Sequence, residues 1–111
     1  MSPDEARRLL VRQSALAQDE QDTELMRQCA AQLFVLGRPE DVGLIWRAKQ
    51  SSFDAACSID LELLCGAGVE PARRQLAHDS KAQTDLLGLR EFDRHAYLLG
   101  LVEYYGEDLT L

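Results

Sequence analysis

Near the middle of the chain, Asp54, Cys57, Asp60 and Glu62 bring carboxylates and a thiol close together in sequence. On a helix, positions 53, 57, 60 and 64 share one face, which sets Asp60 among apolar neighbours and points Glu62 nearly opposite. A carboxylate working as acid or base needs a partner at matching spacing, and no histidine stands there to complete a relay. The residue types fit a structural ion pair better, with Asp60 held by Lys49 or Arg47 of the preceding helix. Cys57 and Cys65 are about two helical turns apart, with no adjacent cation to lower a thiol pKa, so neither reads as a nucleophile. Cys29, Cys57 and Cys65 are odd in number and lie among apolar residues, as free thiols do in a reducing compartment. Together with His78 and His95 they lack the short, repeated spacing of metal ligands. No metal, cofactor or catalytic residue is expected.

A second kind of cluster is acidic and aromatic. Asp19, Glu20, Asp22 and Glu24 crowd one turn, and Glu103, Tyr104, Tyr105, Glu107 and Asp108 crowd the last stretch of the chain. Carboxylates beside tyrosines suit the gripping of Lys and Arg, because the rings add contact area to charge attraction. These nine residues are the expected partner-binding set. The 12 Lys and Arg against 19 Asp and Glu leave a formal charge of −7 and a pI near 4.7. That balance opposes a nucleic-acid footprint and favours a basic protein partner. Arg7, Arg8 and Arg12, with Arg73, Arg74, Arg90 and Arg94, read as solvated charge.

Helices must position these groups. Ser2-Pro-Asp-Glu5 has the form of a capping box, and Ala6, Leu9, Leu10, Leu16 and Ala17 recur at helical spacing, predicting a helix from Pro3 to Ala17. Asp22 or Thr23 caps a second helix carrying Leu25, Met26, Cys29, Ala30, Leu33, Phe34 and Leu36, which Gly37 ends. Arg38-Pro39 opens a third, with Val42, Ile45 and Trp46 on its inner face. Ser51 and Ser52 offer caps to a central helix over 53–65, apolar on nearly all sides and therefore surrounded by other helices. A short fifth helix follows Glu70-Pro71, the polar stretch 79–85 reads as a loop, and a last helix over 91–105 turns Phe92, Ala96, Leu99 and Val102 to one side. The fold class is all-α: a single domain over 1–111, a compact stack of about six antiparallel helices. No apolar run approaches the ~20 residues of a membrane span, and Met-Ser-Pro-Asp-Glu is unlike a secretory signal, which together predict a cytoplasmic protein.

The punctuation repeats. Gln32-Leu-Phe-Val-Leu-Gly37-Arg-Pro39 and Leu63-Leu-Cys-Gly66-Ala-Gly68-Val-Glu-Pro71 each give an apolar helix end, a glycine and a helix-opening proline, about 32 residues apart, as stacked helical hairpins do. The run Asp60-Leu-Glu-Leu-Leu-Cys-Gly-Ala-Gly68-Val-Glu-Pro71 resembles the second half of an ankyrin repeat. No Thr-Pro-Leu-His tetrapeptide precedes the first helix, so HEAT-like hairpins are an equal expectation. Trp46-Arg-Ala-Lys49, Phe53-Asp54, Cys57, Asp60, Leu64, Gly66-Ala-Gly68 and Tyr104-Tyr-Gly106 look like small bacterial helical proteins, some of which neutralise a toxin as immunity proteins. That resemblance implies a non-enzymatic protein that occludes a partner.

Two alternatives accompany this expectation. One is a small enzyme or ligand-binding domain with a pocket near Trp46, Asp60 and Tyr97. The other is a homodimer formed through Leu98, Leu101 and Tyr105 of the last helix.

Overall fold

The computed structural model describes all 111 residues and contains only helices and their connections. In chain order these are α1 (Pro3–Ser14), α2 (Thr23–Leu36), α3 (Val42–Gln50), α4 (Phe53–Ser58), α5 (Val69–Gln75), α6 (Ser80–Leu87) and α7 (Arg94–Tyr105), with short 3-10 turns between several of them. The all-α expectation holds. Local signals start the helices: the side chains of Ser2, Asp22, Ser52, Asp79 and Asp93 each accept the backbone N–H three residues on, which satisfies one of the donors a helix start leaves open. Gly37 ends α2 at φ 73°, a left-handed conformation that costs little only without a Cβ.

Packing centres on α2, whose Met26, Cys29, Ala30, Leu33 and Phe34 are buried in one core with Ala6 and Leu10 of α1, Val42, Ile45 and Trp46 of α3, and Ile59, Leu63 and Leu64. The segment around Ile59 is encased as its composition requires. It is not one helix, however. α4 stops at Ser58, Ile59 and Asp60 are extended, and a 3-10 turn carries Leu61–Cys65. Lys49 explains the break: its ammonium donates to the carbonyl of Ala56 at 2.6 Å and to that of Ile59, holding two acceptors that a continuous helix would have used internally. Phe53, expected on the buried face, is 76% exposed, and Cys57 is exposed too.

Three further differences follow from local chemistry. Residues 80–87 form α6 rather than a loop: Asp79 caps it, and Ala82 and Leu86, four residues apart, are its buried pair. Gln83 on the same helix donates to the carbonyls of Arg73 and Leu76, both at 2.9 Å, closing the end of α5. The first helix stops at Ser14, leaving Leu16 and Ala17 outside it and exposed. α7 is apolar on more than one side, and the face it buries is Tyr97, Leu98, Leu101 and Tyr105, while Leu99 is 56% exposed.

Two arginines read as solvated charge are structural. Arg7 grips the buried Asp41 through Nε at 2.7 Å and Nη2 at 3.0 Å, tying α1 to the start of α3. Arg94 donates to the carbonyls of Gly66 (2.6 Å), Phe34 (3.2 Å) and Val35 (3.3 Å) and lies over the Phe34 ring.

Burial pushes the thiols of Cys29 and Cys65 up from 9.0 to about 11 and about 12, and raises Tyr97 and Tyr105 above their usual 10.0. A group whose folded pKa is raised contributes its full stability below the unfolded value and loses it as pH climbs through the folded one. Thermal melting is therefore expected to be insensitive to these groups up to about pH 9 and to fall steeply through about pH 11. A melting curve flat through that window would contradict the burial of both thiols.

Candidate functional site

The distribution of cations along the chain is uneven. No Lys or Arg occurs between Arg12 and Arg27, between Lys49 and Arg73, or after Arg94. The fold brings these three stretches together. Ser58 Oγ donates to the Thr23 carbonyl, Gln18 Oε1 accepts the Asp54 N–H, Tyr97 OH donates to Asp60 at 2.8 Å, and Tyr104 OH reaches Glu24 at 3.4 Å. One side of the molecule thereby collects carboxylates from stretches that carry no cation of their own, with Arg27 of α2 as the cation among them, and the excess of negative charge should attract a basic surface.

At the centre of this side, Arg27 organises α2 and α7. Its Nη1 donates to Tyr105 OH at 2.7 Å, its Nη2 to Asp60 at 3.3 Å, and its guanidinium lies 5.3 and 5.4 Å from the Tyr104 and Tyr105 ring centres. The two rings meet edge to face at 4.8 Å. Burial opposes the charge on Arg27, but Tyr105 and Asp60 outweigh it and raise its pKa, so the cation is fixed. Tyr104 is thereby held in place while 66% exposed, and Leu99 and Glu103, one helical turn apart, are exposed on the same half of α7. Restraining an aromatic side chain before a partner arrives lowers the entropy lost on binding.

The expected site residues divide accordingly. Asp19, Glu20, Asp22, Glu24, Glu103, Tyr104, Glu107 and Asp108 are exposed. Asp22 also caps α2, so its carboxylate already accepts the Leu25 N–H. Tyr105 is a correction: only 8% exposed and bonded to Arg27, it supports the surface from beneath and offers little area to a partner. Glu107 and Asp108 stand on the turn beyond Tyr105, from which the chain returns to pair with the Gln32 amide through Thr110 at 2.7 and 2.9 Å.

The expected ion pair between Lys49 and Asp60 is also corrected. Lys49 bonds backbone carbonyls, and burial lowers its pKa, whereas Asp60 is bound by Arg27 and Tyr97. Spacing within one helix pair could not reveal this, because the partners come from α2 and α7. Nor do Trp46, Asp60 and Tyr97 line a common pocket: Trp46 is buried in the core and its Nε1 donates to Asp79 at 2.7 Å, away from the Asp60–Tyr97 pair. Leu101 and Tyr105, expected to pair two copies, belong to the core, and Leu98 packs against it.

Exposed Leu99 and Arg27's role as a clamp were the features missed in the sequence. The absence of cations flanking Arg27 was a visible signal for the second. Comparison with family models, curated proteins and solved structures finds no match to this chain.

Proposed function

We propose that the protein is a non-enzymatic interaction module that binds a basic surface of another protein, in its most specific form an immunity protein that occludes a toxin. The observation that carries this reading is the convergence of the three cation-free stretches around a clamped, outward Tyr104. Glu24 and Glu103 supply charge, and Tyr104 and Leu99 supply contact area, the combination that gives an interface both rapid encounter and a desolvated centre. The immunity form of this reading rests on the resemblance read from the residues around Trp46, Gly66 and Tyr104 in the sequence.

Co-expression with the products of neighbouring reading frames tests it. One of them should be toxic alone and harmless with this protein, and the purified pair should associate more slowly as ionic strength rises. Glu24→Lys combined with Glu103→Lys is expected to weaken binding by at least tenfold, roughly 1.4 kcal/mol, with Tyr104→Ala adding a comparable loss, while helical content stays unchanged. Protection that survives all three substitutions in a folded protein would overturn the assignment of this surface.

A further inference from the structure

A different edge of the molecule carries apolar surface that the partner-binding reading does not use. Where α1 ends and α4 begins, Val11 (55% exposed), Leu16 (37%) and Phe53 (76%) all lie open. Val11 of α1, Ala15 just past its end and Leu44 of α3 form the apolar part of an open groove that also includes Arg47, Gln50 and Ser51. Phe53 begins α4 only two residues past Ser51, so an apolar projection and an apolar groove stand side by side. The projection is firmly placed. Gln21 donates to the Gln13 carbonyl and to Ser51 Oγ and accepts from Ser52 Oγ at 2.6 Å, Ser52 caps α4, and Gln18 holds the Asp54 N–H.

Charge is divided in the same way. Asp54 follows Phe53 in the chain and the turn carrying Asp19 and Glu20 packs against α4, while Arg47 lines the groove and Arg12 stands beside Val11, and none of the five makes an ion pair within the chain. A surface with a projection and a groove side by side, and opposite charges assigned to them, is complementary to itself after a two-fold rotation, the commonest symmetry of protein dimers. Exposed apolar side chains gathered near one junction, as Val11, Leu16 and Phe53 are, are also what an uncovered interface leaves on a single chain.

We propose that a second copy of this chain covers this edge, with Phe53 of each protomer seated in the α1–α3 groove of the other and Asp19, Glu20 and Asp54 facing Arg12 and Arg47 across the axis. The exposed face of α7 stays open, so the dimer covers Asp19, Glu20 and Asp54 and displays two copies of the part of the acidic surface formed by Glu24, Glu103 and Tyr104.

Sedimentation equilibrium of the purified chain tests this directly. The expected mass at micromolar concentration and moderate salt is twice the 12.4 kDa of one chain. Phe53→Ser, at a solvent-facing position, should raise the dissociation constant at least tenfold with unchanged helical content. Two charge-reversed proteins, one with Arg12→Glu and Arg47→Glu and the other with Asp19→Lys, Glu20→Lys and Asp54→Lys, should each be monomeric alone and dimerise when mixed. A wild-type chain that stays at the monomer mass overturns the proposal. So does a dimer indifferent to Phe53→Ser, or a mixture of the reversed proteins that fails to associate.

Discussion

Gly66→Ala is expected to lower stability by about 3 kcal/mol, or roughly 10–15 °C in melting temperature, although Gly66 has ordinary right-handed backbone angles. The reason is a close approach of chain segments, not backbone strain. A Cβ at position 66 would lie 2.5 Å from the Phe34 carbonyl oxygen and 3.0 Å from the Phe34 Cα, both backbone atoms of the central helix that no rotamer change can move. Relief requires pulling the turn after Leu61–Cys65 away from α2, which would loosen the burial of Leu63, Leu64 and Cys65. Gly100→Ala is the control. It lies in α7 with nothing within 4 Å of its would-be Cβ, so helix propensity alone predicts a gain of about 0.5–1 kcal/mol. Thermal or urea denaturation of the two variants should move in opposite directions, and equal shifts would refute the packing at Phe34.

Arg94→Ala is expected to cost about 3 kcal/mol, an effect of the same order. Its guanidinium answers the carbonyls of Phe34 and Val35 near the end of α2 and that of Gly66, acceptors that α2 and the 3-10 turn leave open. Without it these oxygens lose their only cationic donor, and α7 loses its anchor on the core at its first residue. Lysine retains the charge but not the fork of donors, so Arg94→Lys should recover no more than about half the loss. Native-state hydrogen exchange would distinguish this effect from a general loss of stability: amides of α7 should exchange faster in Arg94→Ala relative to those of α1. Uniform acceleration would mean that α7 does not open separately.

Both residues show which parts of the fold a sequence makes visible. Helix starts were legible because a cap and its N–H are three residues apart, as Ser2, Asp22 and Ser52 show, and Gly37 was legible as a left-handed stop. Arg94, Arg7 and Lys49 were not, since each is bound by groups that only the folded chain brings close: the arginines reach across more than 25 residues, and Lys49 reaches carbonyls of the next helix. α6 was hidden because two buried residues are too few to set a period. α7 failed in the opposite sense: with Leu98, Leu99, Leu101 and Val102 together, several faces were apolar and the pattern could not choose among them.

The candidate surface divided along the same line. Its carboxylates could be read from local composition, but the cluster of Arg27, Tyr104 and Tyr105 that orders it spans 78 residues between Arg27 and Tyr105. Tyrosine next to tyrosine gives no indication in sequence of which ring turns inward.

The single tryptophan gives the molecule an intrinsic optical gauge. Trp46 donates its indole N–H to Asp79, the residue that caps α6, and lies beneath the ammonium of Lys81 on that same helix. The Ala82 N–H and then the indole hold the Asp79 carboxyl below its usual 3.8, so the stability this carboxylate contributes is complete above that value and is lost as acid protonates it, while Ala82, Leu86 and Gln83 still hold α6. Indole emission therefore reports on the contact between α3 and the start of α6 without any added label.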